Sequence, residues 1–377
     1  LWNNAGVENP GKLRIGVIFG GRSGEHEISL RSARSVVAAI DRGKYDITLI
    51  GIDHAGRWRL LAESEFATLT AGPPRALHGE GARISIPPVP AGADALPTAS
   101  AAEAPPALDV VFPVLHGPYG EDGTIQGFLD LADLPYVGAG VLGSAVGMDK
   151  DVQKRLLRDA GLPLLPFVTL SRTQIDRAPD APAEAARGLG YPVFVKPANL
   201  GSSVGVSKVD APDALAAAVG LALAFDNKIL IERGITAREI ECAVLGNDDP
   251  QASIAGEIVA NDGFYSYEAK YIDPDGAVLR IPAQIPDELA ERVRTLAVRV
   301  FQVLDCAGMA RVDFLLDRTS GELFVNELNS IPGFTTISMY PKLWEQSGLP
   351  YPELIDRLIA LALERHAARR RLRKTYA

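Results

Sequence analysis

Cysteine is nearly absent from this 377-residue chain: Cys242 and Cys306 stand far apart, each inside an apolar stretch. There is no C-x-x-C pair and no framework of spaced cysteines, which argues against a thiolate metal site and a disulfide-stapled secreted scaffold. Both thiols read as buried and free, in a reducing compartment. Also missing is any apolar run near the ~20 residues that a bilayer crossing needs. The longest, Ala214 to Phe225, is too short and follows Asp213. No basic-then-apolar leader opens the chain, so a cytoplasmic protein with no membrane partner is expected. Basic charge is in deficit, with 38 Lys and Arg against 47 Asp and Glu for a net −9. A nucleic-acid partner needs the opposite balance, although a local group of lysines can still hold ATP.

What is present is ordinary globular composition, 47% hydrophobic and 7% aromatic, in a length that allows two or three domains. Leu13 to Phe19 is a short apolar run ending in Gly20-Gly21, and Glu27 to Ile40 follows with apolar residues at a helical period. Tyr45 to Ile52 is again strand-like. Strand, helix and strand at this spacing predict a parallel βαβ unit and an α/β fold. Residues 71–107 hold eight of the 27 prolines and form an insertion or surface loop. Structure resumes with a strand over Leu108 to Leu115 that delivers His116, then a helix over Thr124 to Leu131. A second module begins near Ser144. It has a helix over Lys150 to Ala160, strands over Val193 to Lys196 and Val204 to Val209, an Asp213-capped helix to Phe225, and a strand over Lys228 to Glu232. Strands dominate from Arg238. A helix from about Pro286 to Leu304, a hairpin over 308–328 and an amphipathic helix from Pro352 complete the chain.

The hairpin is the most informative segment. A three-residue loop Thr319-Ser320-Gly321, with Gly at its left-handed position, pairs Arg318 with Glu322. That register sets Asp313 opposite Glu327 and Arg311 opposite Asn329, all on one face. Two facing carboxylates repel unless a cation lies between them. Hard oxygen ligands from few side chains suit Mg²⁺, which fills its shell with water and phosphates. The alternative is a strand face whose acids are simply solvated.

A second candidate is Lys196, which ends a strand before the glycine-serine loop Asn199 to Gly205, containing Ser202 and Ser203. Backbone N–H groups of such a loop can wrap phosphate and the lysine adds a point charge. It is no Walker loop, since the Gly-Lys-Ser/Thr ending is missing, and a plain hairpin loop is the alternative. Gly20 to Glu27 fails the G-x-G-x-x-G spacing of a dinucleotide fingerprint; taken alone, Glu27 serves the helix dipole. Lys270 and Tyr271 stand on a polar loop that could close over an anionic ligand. Asn329 to Ser338 leaves the acidic strand and could present a backbone N–H at Gly333 and the hydroxyl of Ser338. His54, His78 and His366 show no ligand spacing, and six basic residues over Arg365 to Lys374 suit a helix C-terminus.

In their joint order and spacing these strings resemble the ATP-grasp ligases, and more narrowly the longer, A-type branch of the D-alanine–D-alanine ligase family. The resemblance runs over nearly the whole chain. It rests on Gly20 to Ser29, His116 to Gly123, Met148-Asp-Lys150, Lys196 to Gly205, Tyr267 to Tyr271, Arg311-Val-Asp313 and Glu327 to Gly333. It implies a three-domain ATP-grasp fold: a Rossmann-like substrate domain over 12–143, a central unit over 144–240 and a C-terminal unit over 241–377. It further implies that Lys150, Lys196, Lys270 and Ser203 contact the ATP phosphates, while Glu232 and Glu239 serve the adenine-ribose end. Asp313, Glu327 and Asn329 match the ligands of two Mg²⁺ ions, for which Mn²⁺ can substitute. Glu27 would take the first D-alanine ammonium in a trio with Ser202 and Tyr271, near His116. Arg311 and the Gly333 N–H would stabilise the oxyanion, and Ser338 would hold the second carboxylate. The family suggests a homodimer. Because Glu268-Ala-Lys-Tyr271 is retained, D-alanine is expected as nucleophile, with a D-lactate or D-serine ligase as the rival. A silent nucleotide-binding module is disfavoured because Arg311, Asp313, Glu327 and Asn329 are all present.

Overall fold

A computed structural model describes residues 11–72, 75–84, 107–260 and 277–373. It is a mixed α/β structure carrying three sheets. The first contains β1 (Leu13–Gly20), β2 (Tyr45–Ile52), β3 (Trp58–Leu61), β4 (Ala82–Arg83) and β5 (Val110–Val114), in the order β4-β3-β2-β1-β5. β2, β1 and β5 run parallel, as the strand-helix-strand spacing predicts. Both faces of this sheet are covered, which is why its strands read as continuous apolar runs. Ile15, Val17, Val110 and Phe112 point towards α1 (His26–Ala39). Ile18, Ile50 and Val111 point the other way, to Ile125 and Leu129 of α3 (Thr124–Leu131); α2 is Glu63–Thr70.

Helices α4 (Val141–Met148) and α5 (Lys150–Asp159) lead to the second sheet. It comprises β6 (Phe167–Ser171), β7 (Val193–Pro197), β8 (Ser207–Val209) and β9 (Lys228–Arg233), antiparallel in the order β6-β9-β7-β8. The short α6 (Arg172–Arg177) follows β6. One face, with Val193, Val195, Ile229 and Ile231, packs on α7 (Ala181–Leu189) and α8 (Leu215–Phe225). By the two-residue period of a strand, Phe194, Lys196 and Glu232 turn to the opposite face. β8 begins three residues later than predicted, because the chain before it remains in the turn conformation of the glycine-serine loop. Asp213 does not cap α8; it lies in a 3₁₀ turn over Pro212–Ala214.

The third sheet has β10 (Ala237–Gly246), β11 (Gln251–Ala260), β12 (Ala277–Arg280), β13 (Gly308–Asp317) and β14 (Leu323–Asn329), in the order β12-β11-β10-β13-β14. Ile240, Cys242, Val244, Val312 and Phe314 face Val293, Ala297 and Val300 of α9 (Asp287–Val303). The alternate residues Glu239, Glu241, Arg311 and Asp313 therefore share the other face. After β14 come α10 (Met339–Gln346) and α11 (Tyr351–Arg370), and α11 returns to the first sheet, where Leu354, Leu358 and Ile359 join the Val17 cluster. Cys242 and Cys306 are buried free thiols, as expected, and burial raises each to about 12. Among the described residues no helix is long and apolar enough to cross a membrane.

Candidate active site

The polar face of the third sheet carries the pairs that the sequence predicts. Asp313 pairs with Glu327, and Arg311 with Asn329. The turn itself differs. Its loop is Arg318–Gly321, four residues long, with Asp317 N–H donating to the Glu322 carbonyl at 2.9 Å and Gly321 N–H to the Asp317 carbonyl at 2.9 Å. Near the turn the ladder is thus one residue off the predicted register, as Leu316 opposite Leu323 shows. A bulge between the Val325 and Glu327 pairings absorbs the offset. It places Asn326 and Glu327 successively in the same cavity wall.

Sequence reasoning missed a third acid in this row. Glu241 of β10 pairs with Asp313 from the other side and is 4% exposed. The Arg311 fork answers two of the three carboxylates. Its Nε and Nη2 donate to the Asp313 oxygens at 2.7 and 2.8 Å, and Nε lies 3.0 Å from Glu241. Asn329 Nδ2 donates to Asp313 at 2.9 Å, and Lys150 Nζ lies 3.0 Å from Glu327. Among the described residues no three His, Cys, Asp or Glu side chains converge as a ready metal cluster. The donor set nonetheless fits a hard cation: two facing carboxylates beside an amide oxygen, now balanced by movable cationic side chains.

Opposite this face stands Lys196, at the end of β7. Its Nζ lies 2.6 Å from Glu232, which Lys154 of α5 approaches from the other side at 2.5 Å. Burial works to raise the Glu232 carboxyl, but the two ammonium groups prevail and hold it at about 2. Burial also lowers both lysines; it prevails at Lys154, whereas the pull of Glu232 raises Lys196. Lys154 is 1% exposed, and its place on the inner face of α5 was not singled out from sequence. The glycine-serine loop carries two consecutive left-handed residues, Ser202 (φ 53°) and Ser203 (φ 59°). Left-handed backbone is uncommon for residues other than glycine, and two in succession mark a constrained loop. Lys150 Nζ donates to the Leu200 carbonyl at 2.7 Å and so lies against the same loop. One cavity is walled by Lys150, Lys196, Ser202, Ser203, Glu232, Glu239, Asp313 and Glu327, with apolar Leu165, Phe194 and Leu315. Lysines, carboxylates and a glycine-serine loop stand in it beside apolar walls, a combination that can hold a ligand carrying both phosphate and an apolar ring.

A larger cavity of about 540 Å³ adjoins it, sharing Ser202 and Glu327 and adding Glu25, His116, Glu121, Arg311, Asn329, Gly333 and Ser338. Here two expectations change. Glu25, not Glu27, meets Ser202, whose hydroxyl donates to its carboxylate. Glu25 immediately precedes α1 and reaches back over the loop. Glu27, two positions along the helix, is carried to another side, where its side chain is 36% exposed and 3.7 Å from His54. The sequence signal was present as Glu25-His-Glu27, but spacing alone does not choose between two glutamates. His116 does line the cavity, yet both ring nitrogens are engaged within the protein, Nδ1 with the Ile331 carbonyl at 3.2 Å and Nε2 with Ser32 Oγ at 3.0 Å. Burial lowers its pKa to about 4, so the ring is neutral.

Glu121, also missed, accepts from Gly117 N–H at 2.7 Å and Ile331 N–H at 3.3 Å. Burial and the nearby Glu25 raise it to about 8 against those two donors and the charge of Lys150. Ser338 Oγ accepts from Thr335 N–H at 3.0 Å. A Cβ on Gly333 would stand 2.8 Å from that oxygen, so any larger residue there would push the hydroxyl aside. Lys270 and Tyr271 lie outside the described residues.

Residues 14–139 match the family model for the D-ala D-ala ligase N-terminus, and residues 156–360 that for the D-ala D-ala ligase C-terminus. D-alanine–D-alanine ligase A of Salmonella typhimurium is 53% identical over 365 residues, covering 97% of this chain and 99% of that protein. The enzyme of the same name from Escherichia coli is 52% identical with the same coverage. Among solved structures, the D-alanine-D-alanine ligase from Coxiella burnetii superposes with a TM-score of 0.78 at 37% identity, covering 96% of this chain and 98% of that one. VanG D-Ala:D-Ser ligase from Enterococcus faecalis gives 0.79 at 35%, covering 93% and 99%.

Proposed function

Because the chain belongs to the D-alanine–D-alanine ligase family, we propose that it joins two D-alanines at the expense of ATP, supplying a dipeptide for peptidoglycan precursors. Two adjoining cavities that share Ser202 and Glu327 support this reading most directly. One suits a triphosphate and the other an amino acid with a charged group at each end. Oxide is too poor a leaving group for an amine to displace from a carboxylate. A carboxylate oxygen of the first D-alanine therefore attacks the γ-phosphorus, ADP departs, and D-alanyl phosphate forms. The second amine then adds to that carbonyl, and phosphate leaves from the tetrahedral adduct.

In this scheme the nucleotide lies between the units spanning 144–240 and 241–377, and the unit 12–143 completes the amino-acid pocket. Lys150, Lys196, Lys270 and the loop at Ser203 hold the phosphates, and Glu232 and Glu239 flank the adenine-ribose end. Asp313, Glu327 and Asn329 would hold two Mg²⁺ ions, with Mn²⁺ as a substitute, and the bound metal neutralises charge on the moving phosphoryl group. Glu25 takes the role that the sequence pattern assigned to Glu27, pairing with the first ammonium beside Ser202 and Tyr271, with His116 in the same wall. Arg311 and the Gly333 N–H receive the oxyanion, and Ser338 the second carboxylate. An oxyanion donor of this kind supplies about 3–4 kcal/mol of barrier lowering. A cytoplasmic homodimer is part of the same proposal.

Phosphate release and product analysis test it. With ATP and Mg²⁺, release should require D-alanine, stop when a chelator removes the metal, and yield D-alanyl-D-alanine. Release that ignores D-alanine, or a main product containing D-lactate or D-serine when these are supplied beside it, would refute the assignment.

A further inference from the structure

Ser32 lies on the buried face of α1 among Leu30, Ala33 and Val36 and is 0% exposed. Alanine would fill that position as well for packing, and a buried hydroxyl is costly unless it is bonded. Its oxygen makes two bonds, both directed at the candidate site. Phe334 N–H donates to Ser32 Oγ at 3.2 Å, and Ser32 Oγ lies 3.0 Å from His116 Nε2. His116 Nδ1 is 3.2 Å from the Ile331 carbonyl. One arrangement of protons satisfies all three contacts. A carbonyl only accepts, so Nδ1 carries the hydrogen. The neutral ring then accepts at Nε2, so the serine O–H points there, and its lone pair receives Phe334 N–H. The circuit starts at Ile331 and ends at Phe334, and only Pro332 and Gly333 lie between its two ends. Glu121 adds a third tether through Ile331 N–H, and Ser23 Oγ donates to the His116 carbonyl at 2.6 Å.

We infer that Ser32 is a positioning residue: through His116 it closes a hydrogen-bonded ring that fixes the Pro332-Gly333 segment and aims the Gly333 N–H at the developing oxyanion. This rests on the ligase reading of Gly333. The ring spans helix α1, the loop after β5 and the strand-exit segment after β14. It assigns His116 a supporting place, since neither ring nitrogen is left for substrate. With two residues between fixed ends the segment has little slack, and losing one end displaces the donor. A misplacement of about 1 Å is enough to cost on the order of 10²-fold in rate.

The test compares the parent enzyme with Ser32→Ala, which removes the hydroxyl without adding bulk. Three quantities are measured: kcat, KM for ATP, and the inhibition constant of a phosphinate analogue of the dipeptide, whose tetrahedral phosphorus carries the oxyanion. The expected result is a kcat at least tenfold lower and analogue binding weakened by a similar factor, with KM for ATP within twofold of the parent. An inhibition constant within twofold of the parent would overturn the inference. So would a KM for ATP that rises as far as the inhibition constant, since that marks general damage. Failure of the parent itself to form dipeptide would instead sink the ligase reading.

Discussion

Two glutamates on either side of the candidate site meet opposite fates. Glu232, 1% exposed in the wall of the Lys196 cavity, is held ionised at about 2 because Lys154 and Lys196 outweigh the cost of burial. Glu121, in the larger cavity, has two backbone N–H groups and the pull of Lys150 in its favour, but burial and the nearby Glu25 outweigh them, and its carboxyl is pushed to about 8. Burial acts in the same direction on both, so the company each one keeps decides the outcome. The contrast extends to construction. The cavity around Lys196 is built largely from strand faces whose side chains follow a two-residue period, and its electrostatics are those of paired ions. The larger cavity is built from loop ends, a close glycine approach and backbone donors.

The largest effect expected from breaking this contrast is at Lys154. Lys154→Met leaves Glu232 with Lys196 alone in a buried setting, and should lower the unfolding free energy by about 3 kcal/mol. Urea unfolding at neutral pH measures this, and a midpoint unchanged from the parent would show that Glu232 does not need the second ammonium. Next comes Gly333→Ala, which probes close approach on the amino-acid side. The added methyl must displace Ser338 Oγ, so kcat should fall roughly 10²-fold with KM for ATP unaltered. A rise in KM for ATP would mean that the two cavities are not separable in this way.

The smallest effect is a pH slope. Glu121 keeps in the folded state a proton that the unfolded chain loses near its ordinary value of 4.5. Its stabilising contribution is complete below that pH and disappears as pH rises through about 8. Glu232 runs the other way: it contributes above about 4.5, and the contribution is lost as pH falls towards 2. Glu121→Gln should therefore flatten the decline in unfolding free energy between pH 5 and 9. An unchanged slope would remove Glu121 from the comparison.

The hairpin shows how a sequence inference reaches the right pairs by an incomplete route. The three-residue turn expected from Thr319-Ser-Gly321 is a four-residue turn, and the bulge at Asn326 restores the register, so Asp313 still faces Glu327. A bulge leaves little mark in a sequence, because it substitutes one local pairing for another at small cost in side-chain pattern. At the start of α1 the ambiguity was one of angle. Glu25 and Glu27 are two residues apart, and only the point where the helix begins decides which reaches Ser202. Glu241 and Lys154 went unnoticed because each looks like an ordinary charge within a strand or helix until a neighbouring strand covers it.

Composition, the period of the apolar residues and the order of the motifs were enough to establish the α/β class and the family, and to single out most of the lysines and acids that line the two cavities. Those features are local, set by two or three neighbours along the chain. Tertiary structure decided which glutamate meets Ser202, which nitrogens of His116 are already engaged, and whether a buried carboxylate keeps its charge. Each depends on atoms brought together from segments tens to hundreds of residues apart. A carboxyl group's charge depends on the partners that packing places within a few ångströms, and no spacing along the chain encodes that distance.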